Sequence, residues 1–384
     1  MSERRKANPE NLKVGLFSAY AMDGVNGGVQ ENIYETRSFL ESLGHEVYVF
    51  SPQNGPPEES KRLIHFGTAK PHEHDGSIAY THTWPPVMPK TIRNLIKSHN
   101  LDIANYHEPE VSLPTLELIL AAPWLNVVTF HVHNEPKKRY LLYKLITPIF
   151  GRKIDARVVI SEAVSEAANR YFPGKYYVIP NGVDTQKFNP LNEKVAEFAD
   201  DKVNILFVGR LEERKGVQHL LRAYAHIPKK HGNTRLIVVG DGQMAGDLKA
   251  QATYSGLQNV HFEGKVSDED LPKYYATAHI FASLATHGES QGVVNLEAMA
   301  SGLPIIAGDN PGYRTTVTPE TGYLLDPKNT QEVAQALKTL IDDRNLRNTM
   351  GEAGRKNAKN YDWSQIGGKV LDLFLETLEE KGRL

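Results

Sequence analysis

The sequence predicts an α/β protein made of two domains, each built on a parallel β-sheet. At 384 residues the chain is longer than one ordinary compact domain. Short apolar strands alternate with helical stretches from end to end, and this alternation restarts after a polar stretch in the middle of the chain. Because open parallel sheets bind ligands beyond the carboxyl ends of their strands, we expect a cleft where those ends of the two domains face each other.

The composition excludes several classes of protein. A formal net charge of -2 lacks the basic excess of nucleic-acid-binding proteins, so no nucleic-acid partner is expected. With no cysteine, the chain has no thiolate nucleophile, disulfide or cysteine-bound metal, which fits a cytoplasmic protein. Residues 1–11 lack the apolar core of a signal peptide, and no apolar run is long enough to predict a transmembrane helix. Any membrane contact is therefore expected to be peripheral.

The first domain opens with a strand at Lys13–Phe17, followed by an amphipathic helix. One face of this helix is apolar and a glycine ends it: Val29, Ile33, Leu40, Leu43 and Gly44. Residues 51–89 are rich in Pro, Gly and His, and we expect irregular strands and loops there. Further strands of this domain are predicted at Glu46–Phe50, Asp102–Asn105, Asn126–Phe130 and Ala156–Ile160.

The domain boundary is predicted at the turn Asn181–Asp184, which precedes a polar helical stretch that ends at Asp201. The second domain then repeats the strand and helix alternation. Its strands are predicted at Val203–Val208, Arg235–Val239, Val260–Phe262, His279–Ala282 and Pro304–Ala307. A last helix covers roughly residues 363–380, with Ser364 or Asp362 as its N-cap.

The strongest chemical signal is residues 288–297, Gly-Glu-Ser-Gln-Gly-Val-Val-Asn-Leu-Glu, in which two glutamates flank a glycine that opens a helix. The free N–H groups and the dipole of that helix start make a site for a diphosphate. Gly292 has no side chain, so a phosphate can approach the backbone. Glu289 can reach a sugar hydroxyl, and Glu297 can accept hydrogen bonds from a ribose diol. The alternative is a capped helix with two solvated glutamates.

The second signal is residues 209–216, Gly-Arg-Leu-Glu-Glu-Arg-Lys-Gly, directly after the first strand of the second domain. Arg210 and Lys215 lie between a strand end and a helix start, where they form a clamp for pyrophosphate oxygens. Their charge also stabilises the negative charge that develops on a departing nucleoside diphosphate. A solvated charged loop is the alternative, but the position at a strand's carboxyl end favours binding.

Two weaker signals lie in the first domain. Residues 23–30 form a glycine-rich turn between the first strand and its helix, which brings backbone amides close to a phosphate or sugar. This turn departs from the dinucleotide fingerprint G-x-G-x-x-G. His107 ends the third strand and His131 follows the fourth, so both are expected to face the cleft and to hydrogen-bond a sugar ring.

No metal site is predicted. His131 and His133, with His72 and His74, are the alternative ligands, but no further cluster with a recognisable spacing accompanies them. Residues 268–270 have the D-x-D form of metal-dependent glycosyltransferases, yet they precede Leu271 as the acidic start of a helix. Residues 264–268 are expected instead to present backbone groups, or the Asp268 side chain, to a nucleotide base.

Together these motifs resemble retaining glycosyltransferase family 4, whose members have two Rossmann-like domains in the arrangement called GT-B. The glutamate pair with Arg210 and Lys215 is highly specific for that family. Within it, the chain looks most like the bacterial phosphatidylinositol mannosyltransferases. The matching stretches cover nearly the whole chain: Gly27–Gln30, Gly44–Val47, His107–Pro109, Thr129–His131, Ile179–Asp184, residues 209–216, Gly240–Gly242, Gly288–Ala300 and Tyr361–Ser364.

The resemblance implies a role for each domain and motif. Residues 1–184 would bind the acceptor, residues 185–362 the nucleotide sugar, and residues 363–384 would pack back on the first domain. Arg210 and Lys215 would bind the diphosphate and assist its departure, while Glu289 and His131 would lie at the transferred sugar. The implied donor-binding residues are Gly27, Gly28, Gly209, Val266, Asp268, Gly292, Val293, Val294 and Glu297.

The implied reaction retains the anomeric configuration and needs no metal or cofactor, because the nucleotide sugar is a co-substrate. GDP-mannose is favoured over a UDP-sugar, with Asp268 as a partner for guanine. The implied acceptor is a lipid-linked or small polyol or sugar molecule, and weak peripheral contact with the inner face of the membrane would accompany it. The candidate acceptor residues are Gln30, Tyr80 and His107.

Several positions depart from the family pattern. Gln291 stands where Phe is common, and Tyr80 replaces an arginine that binds inositol phosphate in the mannosyltransferases. The stretch after Tyr80 is only sparsely basic, which argues for a weak membrane-surface helix. Two other functions stay open: a sugar-nucleotide epimerase on the same two-domain plan, and a non-catalytic protein that binds nucleotide sugars. A pure binding protein has little need for the charges of Glu289, Arg210 and Lys215.

Overall fold

The computed structural model describes residues 6–22, 27–53, 63–74, 77–82, 89–132, 148–227 and 233–384. The chain divides into two compact units. Unit 1 comprises residues 1–181 and 363–384, and unit 2 comprises residues 182–362. The sequence puts the boundary slightly later, after Asp184, and the family resemblance implies that the last helix packs on the first domain.

Unit 1 is built on an eight-stranded sheet with the order β4-β3-β2-β1-β5-β6-β7-β8. Neighbouring strands run parallel, except that β3 and β4 pair antiparallel. The strands are β1 (Lys13–Ser18), β2 (Glu46–Gln53), β3 (Leu63–His74), β4 (Ser77–His82), β5 (Ile103–His107), β6 (Leu125–Phe130), β7 (Ala156–Val159) and β8 (Tyr177–Val178). The helices are α1 (Gly28–Ser42), α2 (Pro89–Ser98), α3 (Leu113–Ala121), α4 (Glu162–Asn169) and, from the end of the chain, α11 (Trp363–Glu380).

Both faces of this sheet are covered, as expected for central parallel strands. On β1, Phe17 belongs to one apolar cluster, while Val14 and Leu16 belong to a second cluster. Helices α1 and α11 contribute to the second cluster through Ile33 and Phe374, among other residues. The last helix of the chain therefore completes a core of unit 1.

Unit 2 has a six-stranded parallel sheet with the order β11-β10-β9-β12-β13-β14. Its strands are β9 (Val203–Val208), β10 (Thr234–Val239), β11 (Val260–Gly264), β12 (Ile280–Ser283), β13 (Ile305–Gly308) and β14 (Gly322–Leu325). Its helices are α5 (Val217–Ala225), α6 (Ala245–Tyr254), α7 (Leu271–Thr277), α8 (Val293–Ala300), α9 (Thr330–Asp342) and α10 (Arg344–Ala358). One apolar cluster covers each face of this sheet, and the side chains along β9 and β10 alternate between the two clusters. The predicted fold class of two parallel-sheet α/β domains is confirmed.

One local prediction is partly right and two are wrong. Residues 51–89 contain strands as predicted, and the pairing of β2 with β3 shifts register between Ser51 and Gln53, but β3 and β4 pair in regular antiparallel register despite their Pro and His content. Residues 184–201 contain turns and a short 3-10 helix rather than the predicted helix, because the side chains of Asp184 and Asn189 accept hydrogen bonds from nearby backbone N–H groups. Leu43 lies beyond α1, with 49% of its surface exposed, and is not part of the buried face.

Candidate active site

The loop between β9 and α5, residues 209–216, lies against the segment that follows β12. Gly216 adopts a φ of +75°, and a Cβ atom at this position would lie 1.9 Å from the carbonyl oxygen of Leu284. The backbone N–H of Thr286 also donates to the carbonyl oxygen of Arg214 at 2.8 Å. Only glycine fits this close approach, which brings the two predicted motifs of unit 2 together.

Five charged side chains of these two segments form a chain of alternating sign. Arg210 pairs with Glu212 at 2.8 Å, and Glu212 pairs with the Nε of Arg214 at 3.1 Å. Another nitrogen of Arg214 pairs with Glu289 at 2.8 Å, and Lys215 pairs with the same carboxylate at 2.8 Å. We call these five residues the charge chain. It has three cations and two carboxylates, with a cation at each end.

Glu289 is ionised within this network. Burial would raise the pKa of its carboxyl group, but Lys215 and Arg214 outweigh that effect and hold the pKa below its usual value. Only 9% of Glu289 is exposed, so its charge depends on these two partners rather than on water.

Helix α8 begins after Gly292, which is buried. This glycine has a φ of +86°, and a Cβ here would lie 2.5 Å from the ring of Tyr313, whose hydroxyl contacts Ser283 Oγ at 2.6 Å. The first helical residues, Val293 and Val294, are half-buried. As at any helix start, their N–H groups have no carbonyl one turn earlier to accept them. A glycine and a helix start are thus placed as the sequence predicts.

Glu297 lies in the same helix and is held by a tyrosine. The hydroxyl of Tyr275 donates to Glu297 Oε2 at 2.6 Å. Burial raises the pKa of Glu297, Tyr275 opposes the shift, and the nearby Asp268 adds to it. The carboxyl group keeps a second oxygen that can accept from a ligand hydroxyl.

The remaining predicted residues of unit 2 lie in loops that follow strands. Gly209 directly follows β9 and has a φ of +155°. Val266 is half-buried and Asp268 is exposed, both in the turn between β11 and α7. Gly209, Val266 and Asp268 therefore follow the carboxyl ends of strands, where parallel sheets place their ligand sites. Glu297 lies inside α8 instead.

In unit 1, the predicted turn is described only from Gly27 onwards, and residues 23–26 lie outside the described residues. Gly27 is the N-cap of α1 and Gly28 is its first residue. The side chain of Gln30 is buried and donates to the carbonyl oxygen of Ala21 at 3.1 Å. Tyr80 lies in β4, half-exposed, and its carbonyl oxygen accepts from the N–H of Ala21 at 2.8 Å. The turn, Gln30 and β4 are thus linked through Ala21.

His107 and His131 form a buried pair. His107 Nδ1 lies 2.8 Å from His131 Nε2, so one of the two nitrogens donates to the other. Burial lowers the pKa of both rings, to about 3 for His131. With both rings withdrawn from solvent, the pair is uncharged at neutral pH.

A carboxylate that sequence reasoning missed holds the backbone of this pair. Glu108 has a φ of +53° and is fully buried. Its Oε1 accepts from the backbone N–H groups of His131 and of Val132, the latter at 2.9 Å. The motif His-Glu-Pro contains this residue, but only the approach of β5 and β6 shows which groups the carboxylate binds.

Sequence reasoning also assigned no role to Glu212, Arg214 or Tyr275. Glu212 and Arg214 lie inside the motif 209–216. The mixture of acidic and basic residues in that motif is the sequence signal that could have identified them as ion-pair partners. Tyr275 lies in α7, a few residues after the motif at residues 264–270, but nothing in the sequence points to its contact with Glu297.

The structure describes only part of the alternative metal site. Within the part of the chain that the structure describes, no three His, Asp or Glu side chains are grouped so that they could hold a metal ion. His133 lies outside the described residues, and the backbone of His72 and His74 lies in β3. Among the described helices, none is both long and apolar enough to cross a membrane.

Two family profiles match the chain, one on each half. The family described as Glycosyltransferase Family 4 matches residues 26–187, and the family described as Glycosyl transferases group 1 matches residues 189–357. The second match contains the charge chain, Gly292 and Glu297. Residues 363–384 lie beyond both matches.

Curated relatives match nearly all of the chain or a part of it. A phosphatidyl-myo-inositol mannosyltransferase of Mycobacterium leprae is 26% identical over 374 residues, covering 97% of this chain and 98% of the relative. A GDP-mannose-dependent monoacylated alpha-(1-6)-phosphatidylinositol monomannoside mannosyltransferase of Corynebacterium glutamicum is 31% identical over 243 residues, or 58% of this chain and 64% of the relative.

Solved structures share the fold. A glycosyltransferase of Rickettsia africae superimposes with a TM-score of 0.78 at 20% identity, over 96% of this chain and 99% of that chain. The Anabaena protein Alr3699/HepE, solved in complex with UDP, superimposes with a TM-score of 0.70 at 18% identity, over 95% and 100% of the two chains.

Proposed function

Since the chain is a glycosyltransferase of the family 4 type, with the GT-B fold and mannosyltransferase relatives, we propose that it moves a hexose from a nucleotide sugar to a lipid-linked or small polyol or sugar acceptor. The proposed reaction needs no metal ion and retains the anomeric configuration. The observation that carries the proposal is the charge chain beside the N-terminus of α8, with Glu297 inside that helix.

The diphosphate is proposed to bind between the two cationic ends of the charge chain and the helix start at Gly292. Arg210 and Lys215 carry fixed positive charge, and the helix N-terminus adds unpaired N–H groups. These groups would stabilise the negative charge on the leaving nucleoside diphosphate, which is the task of a metal ion in metal-dependent transferases. Glu297 would accept hydrogen bonds from the ribose diol.

The proposed transfer occurs on one face of the sugar. The acceptor oxygen forms a bond to the anomeric carbon while the bond from that carbon to the donor phosphate oxygen breaks. The electron pair of the broken bond stays on the phosphate oxygen, and the acceptor proton passes to the same oxygen. Glu289 would contact the transferred sugar, and its position is fixed by Arg214 and Lys215.

We favour GDP-mannose as the donor, with a UDP-sugar as the second candidate. The Corynebacterium relative is named for its dependence on GDP-mannose, whereas the Anabaena neighbour was solved with UDP. A lipid-linked acceptor follows the names of the phosphatidylinositol relatives. Helix α2, which carries Lys90, Arg93 and Lys97, is the proposed peripheral contact with a membrane surface.

The test is a binding and turnover screen of the purified protein with GDP- and UDP-sugars, without acceptor and with EDTA present. We expect one donor to bind and to release free sugar slowly. Conversion into another nucleotide sugar would make the protein an epimerase. If none of the donors binds, the proposed function is wrong, and if binding requires a divalent cation, the proposed metal independence is wrong.

A further inference from the structure

The charge chain has an arginine at its centre that contacts both carboxylates and lies away from its two ends. We propose that Arg214 is a positioning residue. It is a shared counter-ion of Glu212 and Glu289, which leaves Arg210 and Lys215 free to exchange their carboxylate partners for a diphosphate. This inference rests on the proposed function, because it assumes that a diphosphate binds at the two ends.

Arg214 is fixed by its backbone and by its side chain. Its carbonyl oxygen accepts from the N–H of Thr286 at 2.8 Å, and the hydroxyl of Thr286 donates to the same oxygen at 3.3 Å. Its guanidinium donates to Glu212, to Glu289 and to the carbonyl oxygen of Gly288, the last at 3.4 Å. Only 14% of this side chain is exposed, so a planar, forked cation bridges the two carboxylates inside the protein.

The two end cations differ from Arg214 in what they contact. Arg210 pairs with Glu212 alone among the ion pairs described, and 47% of its side chain is exposed. Lys215 pairs with Glu289, which Arg214 also contacts. Glu212 and Glu289 thus each have one end cation and Arg214 as partners, so each keeps Arg214 as a counter-ion when the end cations turn to phosphate.

The physical reason is the cost of an unpaired charge in a buried place. A carboxylate with about a tenth of its surface exposed cannot rely on water, so its last counter-ion is held strongly. Without Arg214, Glu289 would depend on Lys215 alone, and a diphosphate would have to compete with Glu289 for that lysine. We therefore expect Arg214→Met to weaken the binding of GDP by about tenfold, within the range found for residues of one charge network.

The experiment is a double-mutant cycle measured by isothermal titration calorimetry with GDP, or with UDP if the wild type binds UDP more tightly. The four proteins are the wild type, Arg214→Met, Glu289→Gln and the double variant. Because Glu289→Gln removes the carboxylate that competes for Lys215, we expect Arg214→Met to cost less than about threefold in that background. Arg214→Lys keeps the charge but lacks the fork, so it should restore binding only in part.

Arg235→Met is the matched control. Arg235 is also a buried arginine of unit 2, with 5% of its side chain exposed, and it pairs with Asp200 at 2.7 Å. Arg235→Met should lower the melting temperature. The effect of Arg235→Met on GDP binding should be the same whether or not the protein also carries Glu289→Gln. If Arg214→Met behaves in this additive way, Arg214 is merely structural and the inference is overturned.

Other outcomes also decide the matter. If the loss of binding persists undiminished when Glu289 is changed to glutamine and the melting temperature does not fall, Arg214 contacts the phosphate directly, and the inference is again wrong. Should Arg214→Met fail to fold, Arg214→Gln takes its place in the cycle, because it keeps hydrogen bonding and removes only the charge. If the wild type binds neither GDP nor UDP, the proposed function fails instead, independently of Arg214.

Discussion

At the scale of single residues, Glu297 is held by Tyr275 and buried, and we propose that it binds the ribose. Glu297→Gln should weaken GDP binding about tenfold, since hydrogen bonds to a charged group contribute about 1.5–3 kcal/mol. The variant should also discriminate less between GDP and 2′-deoxy-GDP, which calorimetry measures directly. Glu352→Gln, at an exposed position of α10, is the control and should change neither quantity.

The pH dependence of this interaction has a defined sign. Burial raises the pKa of Glu297, with Asp268 adding to the shift and Tyr275 and Lys187 opposing it. Only the ionised carboxylate accepts from both ribose hydroxyls, so the preference for GDP over 2′-deoxy-GDP should weaken as the pH falls towards that raised pKa. A preference that is constant from about pH 8 down to about pH 4 would contradict the assignment of Glu297 to the ribose.

The histidine pair gives a second prediction at this scale. Because burial holds the pKa of His131 at about 3 and that of His107 well below its usual value, neither ring should gain a proton between about pH 5 and about pH 8. Nuclear magnetic resonance of histidine-labelled protein measures this, with signals assigned through His107→Gln and His131→Gln. A midpoint near the ordinary histidine value for either signal would show that the pair is solvated, not buried.

Single residues were predicted from the sequence where a local motif fixes them. Gly292 was predicted to open a helix, because a glycine before a run of helix-forming residues is a local signal, and the structure confirms its position. Arg214, Tyr275 and Glu108 were missed. Their contacts depend on which loop or strand approaches another, and that information lies in tertiary packing rather than in the spacing of a motif.

At the scale of secondary-structure elements, α11 packs on α1 through a glycine. A Cβ at Gly367 would lie 2.4 Å from the ring of Phe39, whereas a Cβ at Gly368 would meet nothing within 4 Å. Gly367→Ala should therefore destabilise unit 1 by about 1–3 kcal/mol through overpacking. Gly368→Ala, the matched control, should stabilise it by about 0.5–1 kcal/mol, because alanine loses less entropy in a helix.

Tryptophan fluorescence can follow these two variants in unit 1 alone. The chain has three tryptophans, Trp84, Trp124 and Trp363, and all belong to the residues of unit 1. Urea unfolding monitored by fluorescence should shift in opposite directions for Gly367→Ala and Gly368→Ala. Equal shifts would mean that α11 does not approach Phe39 as closely in solution.

Elements with a clear period were predicted well, and elements that depend on side-chain hydrogen bonds or on neighbouring strands were not. Strands β1 and β9 are short apolar runs that the sequence alone identifies. Strands β3 and β4 contain proline and histidine and take their regularity from pairing with each other. Residues 184–201 have helical composition, but Asp184 and Asn189 cap their own backbone turns.

At the scale of the whole molecule, the two units differ in what they need in order to fold. Unit 2 is one continuous segment with a complete sheet, two apolar clusters and the whole charge chain. Unit 1 needs residues 363–384, because Trp363, Ile366 and Phe374 belong to one of its two cores. The repeated strand and helix alternation predicted both units from sequence, whereas the contribution of the last helix to unit 1 was implied only by family resemblance.

A prediction follows for fragments of the chain. Residues 182–362 expressed alone should unfold in a single cooperative transition, measured by calorimetry, and should bind GDP or UDP weakly. Residues 1–181 expressed alone should bind a dye that detects exposed apolar surface. The dye should be released when a peptide of residues 363–384 is added. If residues 1–181 form a stable, dye-free monomer, α11 is not needed for that core.

Within unit 2 the first and last residues lie side by side: Val183 pairs in parallel with Asp362, and the side chain of Thr185 donates to Asp362. Unit 2 is therefore an insertion in the sequence of unit 1, and these contacts hold the two ends of the insertion together. During synthesis on the ribosome, all of unit 2 is translated before residues 363–384. The first 181 residues of unit 1 are therefore translated long before α11, which covers part of their apolar core. We expect unit 1, although its synthesis begins first, to complete its folding only after translation has ended, and the growing chain to be exposed to aggregation until then.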